Sequence, residues 1–449
     1  MGRNKPMTQI NLKRNIAFST SSQIITMGAS FVVNWFLARY LGPEQRGQYV
    51  YLFTVNYVVW MLLDLGVSKS MMFSLQHDNA DPKKLYSYAL GFFGLSLLVS
   101  VGFFHFFGSR VLGQQGYSYA PQVVLALGVY IVTFQMFTRQ KFIFIGLNHI
   151  KDYAALNMLP SLGFMLVLLP LFWVFPLAYR MEASYLLNVC TILLIVLIYH
   201  FRLVKKLNFR FLWDWALILR SYGLGFKAFL SEYMMILMTR MDILILKRLG
   251  SFAQLGIYTL AINFLDMINI MANMIGIVLL NKFSALNDDA ASLAILRKIF
   301  VVMLAFDLIC ITGMVAIGLP VIRILYGAEY IDAWWTFLYL IPAIIGLTLG
   351  GLFNTFLWSK GFPIFTIIAP AVATLVKAIL SYFLIPIYGM FGAAISSSIA
   401  YLLWFILLVS WYFVAHKQQK INQLLICKED VTQIKDMLVA LKAKALGRV

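Results

Sequence analysis

Apolar residues run along this chain in stretches of about 20, separated by short polar connections, and they do so twelve times. Runs of that length predict helices that cross a membrane, because backbone groups left unpaired in hydrocarbon are costly. The first six are Ile16 to Tyr40, Tyr49 to Ser70, Tyr86 to Phe107, Gln122 to Thr138, Tyr153 to Phe175 and Tyr185 to Phe201. The second six are Leu224 to Leu246, Gly256 to Leu280, Ile299 to Leu319, Trp335 to Trp358, Pro363 to Ile385 and Ala393 to Val414.

An internal repeat organises these runs. Leu41-Gly42 followed by Gly47-x-Tyr49 recurs as Leu249-Gly250 followed by Gly256-x-Tyr258, an offset of 208 residues that becomes 209 after one insertion. Six spans per repeat is an even number, so both halves keep the same orientation and an axis along the membrane normal relates them. The predicted fold is an all-α polytopic membrane protein with 12 transmembrane helices in two six-helix lobes. Residues 1–206 form the first lobe, 207–223 a cytoplasmic linker, 224–415 the second lobe and 416–449 a basic amphipathic tail. Lys205, Lys206, Arg210, Trp213 and Trp215 suit an interfacial helix in the linker. Val431, Ile434, Leu438 and Leu441 suit a membrane-surface helix in the tail.

Composition agrees with the pattern. Of 449 residues 61% are apolar and 12% charged, with a mean hydropathy of +0.83, which excludes a water-soluble globular enzyme. The net charge of +18 would suggest nucleic acid in a soluble protein. Here, with both termini cytoplasmic and the span-end residues Arg39 and Lys69 counted with the sides they adjoin, 26 of the 36 basic residues fall on the inner side and seven on the outer, with Lys227, Arg240 and Lys377 inside spans, as the positive-inside rule requires. The basic N-terminus runs into a retained first span, and Pro6 stands where an acylation signal needs Ser or Thr. The three cysteines have no metal-ligand spacing, and the five histidines are scattered without a catalytic motif. No metal, cofactor or enzymatic activity is expected.

Polar residues inside the spans carry the functional signal. At about 100° per residue, Ser19, Gln23, Thr26, Ser30 and Asn34 share roughly an 80° arc of the first span. At the repeat offset the corresponding face of the seventh span holds Lys227, Ser231, Met234, Met238 and Asp242. Asn56 and Asp64 lie on the second span, and Asn263, Asp266, Asn269 and Asn273 on about 120° of the eighth. Such faces either hold helices together or line an aqueous cavity, and their recurrence favours the cavity. Glu232, Asp266, Asp307 and Lys377 lie near span centres, with Arg240 and Asp242 closer to the outer end. The acids read either as ion-pair partners of Lys377 and Arg240 or as carriers of a coupling proton or sodium ion. Glu232, Asp266 and Asp307 are assigned to ion coupling, and Gln23, Ser30, Asn34, Asn56, Asp64, Lys227, Ser231, Arg240, Asp242, Asn263, Asn269, Asn273 and Lys377 to the substrate cavity.

Leu41-Gly42-Pro43-Glu44 with Gly47-x-Tyr49, Asp64-Leu65-Gly66, the stretch Ile324 to Tyr330 with Ala333, and Leu384-Ile385-Pro386 followed by Gly389-x-x-Gly392-Ala393-Ala394 together resemble the Wzx-type polysaccharide flippases. That family lies in the superfamily that also holds the multidrug and toxic-compound extrusion transporters. The resemblance runs from about Ile16 to Val414. It implies movement of undecaprenyl-pyrophosphate-linked oligosaccharide, as for O-antigen of lipopolysaccharide, across a bacterial inner membrane by alternating access. It also implies polysaccharide-assembly proteins as partners, with a single chain sufficient. Lys227, Arg240 and Lys377 within the spans, with Lys69, Arg139 and Lys141 near the inner mouth, are the cations available to a pyrophosphate. The first half lacks the Gly-x-x-Gly-Ala-Ala link after Pro176, and the cavity is richer in acids than in many relatives. Two rivals stand beside this reading. A cation extruder on the same scaffold would use Asp64, Asp242 and Asp266; a membrane polysaccharide polymerase or ligase usually has a large outer loop, and the outer loops here are short.

Overall fold

The computed structural model describes residues 9–77, 80–112, 119–147, 149–286, 288–361 and 363–416. Among them all regular structure is helical. The helices are α1 (Gln9–Asp64), α2 (Val67–His77), α3 (Pro82–Leu112), α4 (Pro121–Gly146), α5 (Ile150–Val174), α6 (Arg180–Leu207), α7 (Trp215–Leu249), α8 (Phe252–Ala285), α9 (Asp289–Leu325), α10 (Asp332–Tyr339), α11 (Ile341–Ser359), α12 (Phe365–Tyr388) and α13 (Met390–Ala415). The expected amphipathic tail from 417 onward and the first eight residues lie outside the described residues.

Among the described residues, ten helices are long and apolar enough to cross a membrane. α1 counts twice. Its backbone leaves helical geometry at Gly42, where φ is 69° and ψ 175°, a conformation that glycine adopts without a Cβ clash. Asn34 and Phe53 would stand about 28 Å apart on a straight helix, yet both line one cavity. The chain therefore folds back at Gly42. α7, with 35 residues, is also of membrane length but carries more charge than the others. Together these give twelve membrane-length segments, and the chain is a multi-pass helical membrane protein. Leu98, Phe106, Ile309, Ile324 and Ile387, each more than 70% exposed, would be insoluble in water and match a lipid surround.

Three expected elements differ in detail. The second span is not continuous to Ser70: Leu65 and Gly66 both have positive φ, 46° and 84°, and α2 begins after them. The cause is a close helix crossing. A Cβ on Gly66 would lie 2.7 Å from the Gly225 carbonyl oxygen, and one on Gly225 would lie 2.0 Å from Ser70 Oγ. The tenth span breaks at Leu340 into α10 and α11, because Pro342 in the first turn of α11 has no N–H and its ring would clash with the carbonyl four residues earlier. The expected interfacial helix in the linker is absent: Lys205 and Lys206 end α6, Asn208 closes it in a left-handed cap, residues 209–214 are irregular, and Trp215 already starts α7.

The chain divides into two compact units, Met1–Tyr233 and Met234–Val449, with the division inside α7. In the first unit α1 packs on α5, α3 and α2 on α4, and α4 on α6; in the second, α13 packs on α11 and α12, and α8 on α11.

Candidate functional site

In the first unit the two arms of α1 border, with α4, α5 and α6, an open-mouthed cavity of about 220 Å³. The first arm contributes Ser30, Val33, Asn34 and Leu37, and the second Tyr49 and Phe53. The remaining walls are Tyr130 of α4, Pro160, Ser161 and Phe164 of α5, and Asn188 and Ile192 of α6. None of these side chains carries a formal charge. Ser30 Oγ and Ser161 Oγ are 3.1 Å apart, and Asn34 Nδ2 donates to the Ser30 carbonyl at 3.0 Å. Asn188 Oδ1 is buried without a hydrogen-bond partner. The aromatic wall is built by packing: Tyr49 and Phe53 rings lie 4.7 Å apart, and Phe53 meets Tyr130 edge to face at 5.3 Å. Tyr185 also meets Phe53 at 5.3 Å and accepts a 2.8 Å hydrogen bond from Asn56 Nδ2. Asn56, fully buried, thus reaches the cavity wall through Tyr185.

A charged cluster in the same unit gathers where α1, α2, α4 and α7 meet. Asp64 caps α2, accepting from Ser68 N at 3.1 Å and Ser68 Oγ at 2.7 Å, and the Arg139 guanidinium lies 3.3 Å away. Both members of that pair are buried, and Arg139 also donates to the Ala89 carbonyl. Lys69 pairs with Glu232 at 3.0 Å, each about one third exposed, over the Phe142 ring. A small space of about 50 Å³ separates the two pairs, walled by Trp60, Thr138 and Phe229. Lys141 donates to Asn157 Oδ1. Lys227 is exposed and Gln23 half-buried, while Ser231 is fully buried.

The second unit holds a different kind of cluster. Asp242 and Lys377 are both fully buried and pair at 3.0 Å. The ammonium also donates to the Met238 carbonyl at 2.8 Å and the Tyr401 hydroxyl at 3.2 Å, and lies over the Tyr401 ring. Asp242 further accepts from the Tyr258 hydroxyl, from Ser397 Oγ at 3.0 Å and from Ile243 N at 3.0 Å. Arg240 pairs with Asp266 at 3.2 Å, in partly exposed positions. Asp307 is buried, accepts from Thr348 Oγ1 at 2.7 Å, and leaves Oδ1 without a partner. Asn263 and Asn269 are half-buried and Asn273 is exposed.

Of the residues chosen from sequence, Ser30 and Asn34 line the cavity, whereas Asp64, Asp242 and Lys377 are engaged in buried pairs. The sequence reading missed Tyr49, Phe53, Tyr130, Ser161 and Asn188, which complete the cavity, and Tyr258, Tyr401 and Ser397, which complete the Asp242 cluster. A usable signal existed only for Ser161, which follows Pro160 within an apolar span.

A family model described as polysaccharide biosynthesis protein matches residues 12–287. No curated protein sequence matches the chain. Among solved structures, the lipid II flippase MurJ in an inward closed conformation is similar with a TM-score of 0.71 at 15% identity, covering 91% of this chain and 88% of that one. An inward-facing multidrug resistance MATE family transporter of the MOP superfamily gives 0.68 at 13% identity, covering 88% and 96%. A MOP superfamily transporter from Pyrococcus furiosus gives 0.61 at 14% identity, covering 93% and 100%. The expected two-lobe transporter fold is therefore the fold of this chain.

Proposed function

The chain belongs to the family of polysaccharide biosynthesis proteins, and from that premise we propose that it is a flippase. It carries an undecaprenyl-pyrophosphate-linked oligosaccharide from the cytoplasmic to the outer leaflet of a bacterial inner membrane, alternating access to its two faces. Both termini lie in the cytoplasm, where the basic residues concentrate. The observation that carries the reading is the uncharged, hydrogen-bonding cavity with an aromatic wall inside a membrane-spanning unit. A hydrated saccharide needs such a lining to cross hydrocarbon, and the polyprenyl chain does not. Exposed Lys227 and partly exposed Lys69 are cations that a pyrophosphate could reach. Gln23 in the first unit and Asn263, Asn269 and Asn273 in the second, none of them fully buried, keep their assignment to substrate contact. Glu232, Asp266 and Asp307 are the groups we assign to proton or sodium coupling, and Asp307, with an unpartnered oxygen, is the one best placed to accept a proton.

Against a cation extruder stands the pairing of its acids. Asp64, Asp242 and Asp266 each have an internal cation, in Arg139, Lys377 and Arg240, so a cationic drug would have to displace a covalently tethered competitor.

Purified protein in proteoliposomes tests the proposal. A lipid-linked oligosaccharide placed in one leaflet should become accessible to a glycosidase in the other faster than in protein-free vesicles, and an organic cation should not be transported. Equal rates with and without protein, or export of the cation alone, would reject it.

A further inference from the structure

We propose that the first-unit cavity is a subsite for a single neutral sugar ring of the carried saccharide; the inference rests on the carrier reading above and specifies its substrate. Charge comes first. No lining side chain is ionic, so an anionic sugar or a phosphate placed there would lack a counter-ion and lose its hydration, at a cost of several kcal/mol. An entirely apolar occupant fails for the opposite reason. It would leave Asn188 Oδ1 without a partner, though the Asn188 side chain meets the Tyr49 hydroxyl, and would cover the Ser30 and Ser161 hydroxyls without replacing their exchange with water.

A pyranose meets both demands. Its rim of hydroxyls donates to Asn188 Oδ1 and exchanges hydrogen bonds with the two serines, while its C–H face lies on the wall made by Tyr49, Phe53 and Tyr130. Size limits the occupant to one ring. The cavity's volume of about 220 Å³ lies below the roughly 300 Å³ at which sites for drug-sized ligands begin. The rest of the oligosaccharide must lie outside, so this subsite selects for one uncharged residue and tolerates variation elsewhere.

Saturation-transfer NMR on the full-length protein in lipid nanodiscs tests this, with methyl β-D-glucopyranoside as the neutral probe and methyl β-D-glucuronide as its anionic counterpart. The neutral probe should receive magnetisation and the glucuronide at least fivefold less. Ser161→Phe, which fills the space, and Asn188→Leu should each reduce the neutral signal at least fivefold. Ser30→Ala removes one of the two exchanging hydroxyls with little change in volume and should reduce it too, so a folding defect in the phenylalanine variant does not decide the outcome. Equal signals in wild type and all three variants, or preference for the glucuronide, would overturn the proposal. The proteoliposome assay separates this from the carrier reading. Probe binding that Ser161→Phe abolishes, in a protein that moves no lipid-linked saccharide, would uphold the subsite and sink the flippase. Unchanged translocation in a stably folded Ser161→Phe would remove the subsite and leave the flippase intact.

Discussion

Replacing Lys377 by Met, Asp242 by Asn, and both together asks whether the buried pair in the second unit is a coupled device or a set of independent contacts. Lys377 has three N–H donors and three partners, the Asp242 carboxylate, the Met238 carbonyl and the Tyr401 hydroxyl, so its hydrogen-bonding capacity is full. In D242N the ammonium keeps two neutral acceptors and loses its only fully buried counter-charge. In K377M the carboxylate keeps donors from Tyr258, Ser397 and the Ile243 amide. Removing one member of a buried pair costs about 3–5 kcal/mol, mostly from the stranded charge, whereas removing both is often close to neutral. The expectation is about 4–5 kcal/mol for D242N and about 3 kcal/mol for the better-solvated carboxylate of K377M. The double variant should lie within about 2 kcal/mol of wild type. At about 2–4 °C per kcal/mol for a unit of this size, K377M should lower the melting temperature of purified protein by about 6–12 °C, D242N by more, and the double variant by least. Simple addition of the two single losses in the double variant would refute the argument. It would mean that the charges are held by their neutral neighbours and not by each other.

Neutralising Glu232 in E232Q should leave protein level and melting temperature nearly unchanged, since a partly exposed pair with Lys69 is worth only about 0–1 kcal/mol. Translocation should nevertheless be lost, and the same holds for D266N; wild-type rates in proteoliposomes would reject their assignment to coupling. Arg139→Met strands the buried Asp64 carboxylate with only its Ser68 donors, and a loss of about 3 kcal/mol is expected by thermal unfolding. Gly66→Ala combines a φ of 84° with a 2.7 Å approach to the Gly225 carbonyl. It should cost at least ~1–3 kcal/mol, read as reduced yield and melting temperature, while Gly94→Ala, in open space, should be neutral or slightly stabilising. In a deletion strain, lipid-linked repeat units should accumulate facing the cytoplasm and surface polysaccharide should fall; normal surface polymer without a redundant transporter would count against the carrier.

Span number, the turn at Gly42 and the helical character were legible because they follow from run length and from backbone freedom, both of which are local. Ser30 and Asn34 were legible for a related reason: a polar arc on an apolar helix cannot face lipid. Angular position says which face is polar, however, and not what covers it. Asp242 shares the arc logic of Asn34, yet Lys377, 135 positions away in sequence, together with Tyr258 and Ser397, covers it completely. Lys377 read both as a cation available to a pyrophosphate and as an ion-pair partner for the acids, and which acid it meets lay beyond any local window. The aromatic wall was hidden by abundance, since with 16% aromatic residues nothing in a span distinguishes Tyr130 from a lipid-facing ring until Phe53 is found against it. Under the proposed function, two kinds of polar site divide the work physically. The buried acids of the second unit whose oxygens are filled by tethered donors can stabilise a fold without admitting solute. The first-unit cavity, with an acceptor left open and no fixed charge, can exchange its hydrogen bonds with a passing sugar at little electrostatic cost. A carrier needs such a lining, since a site that bound its cargo through stranded charges would hold it too tightly to release it.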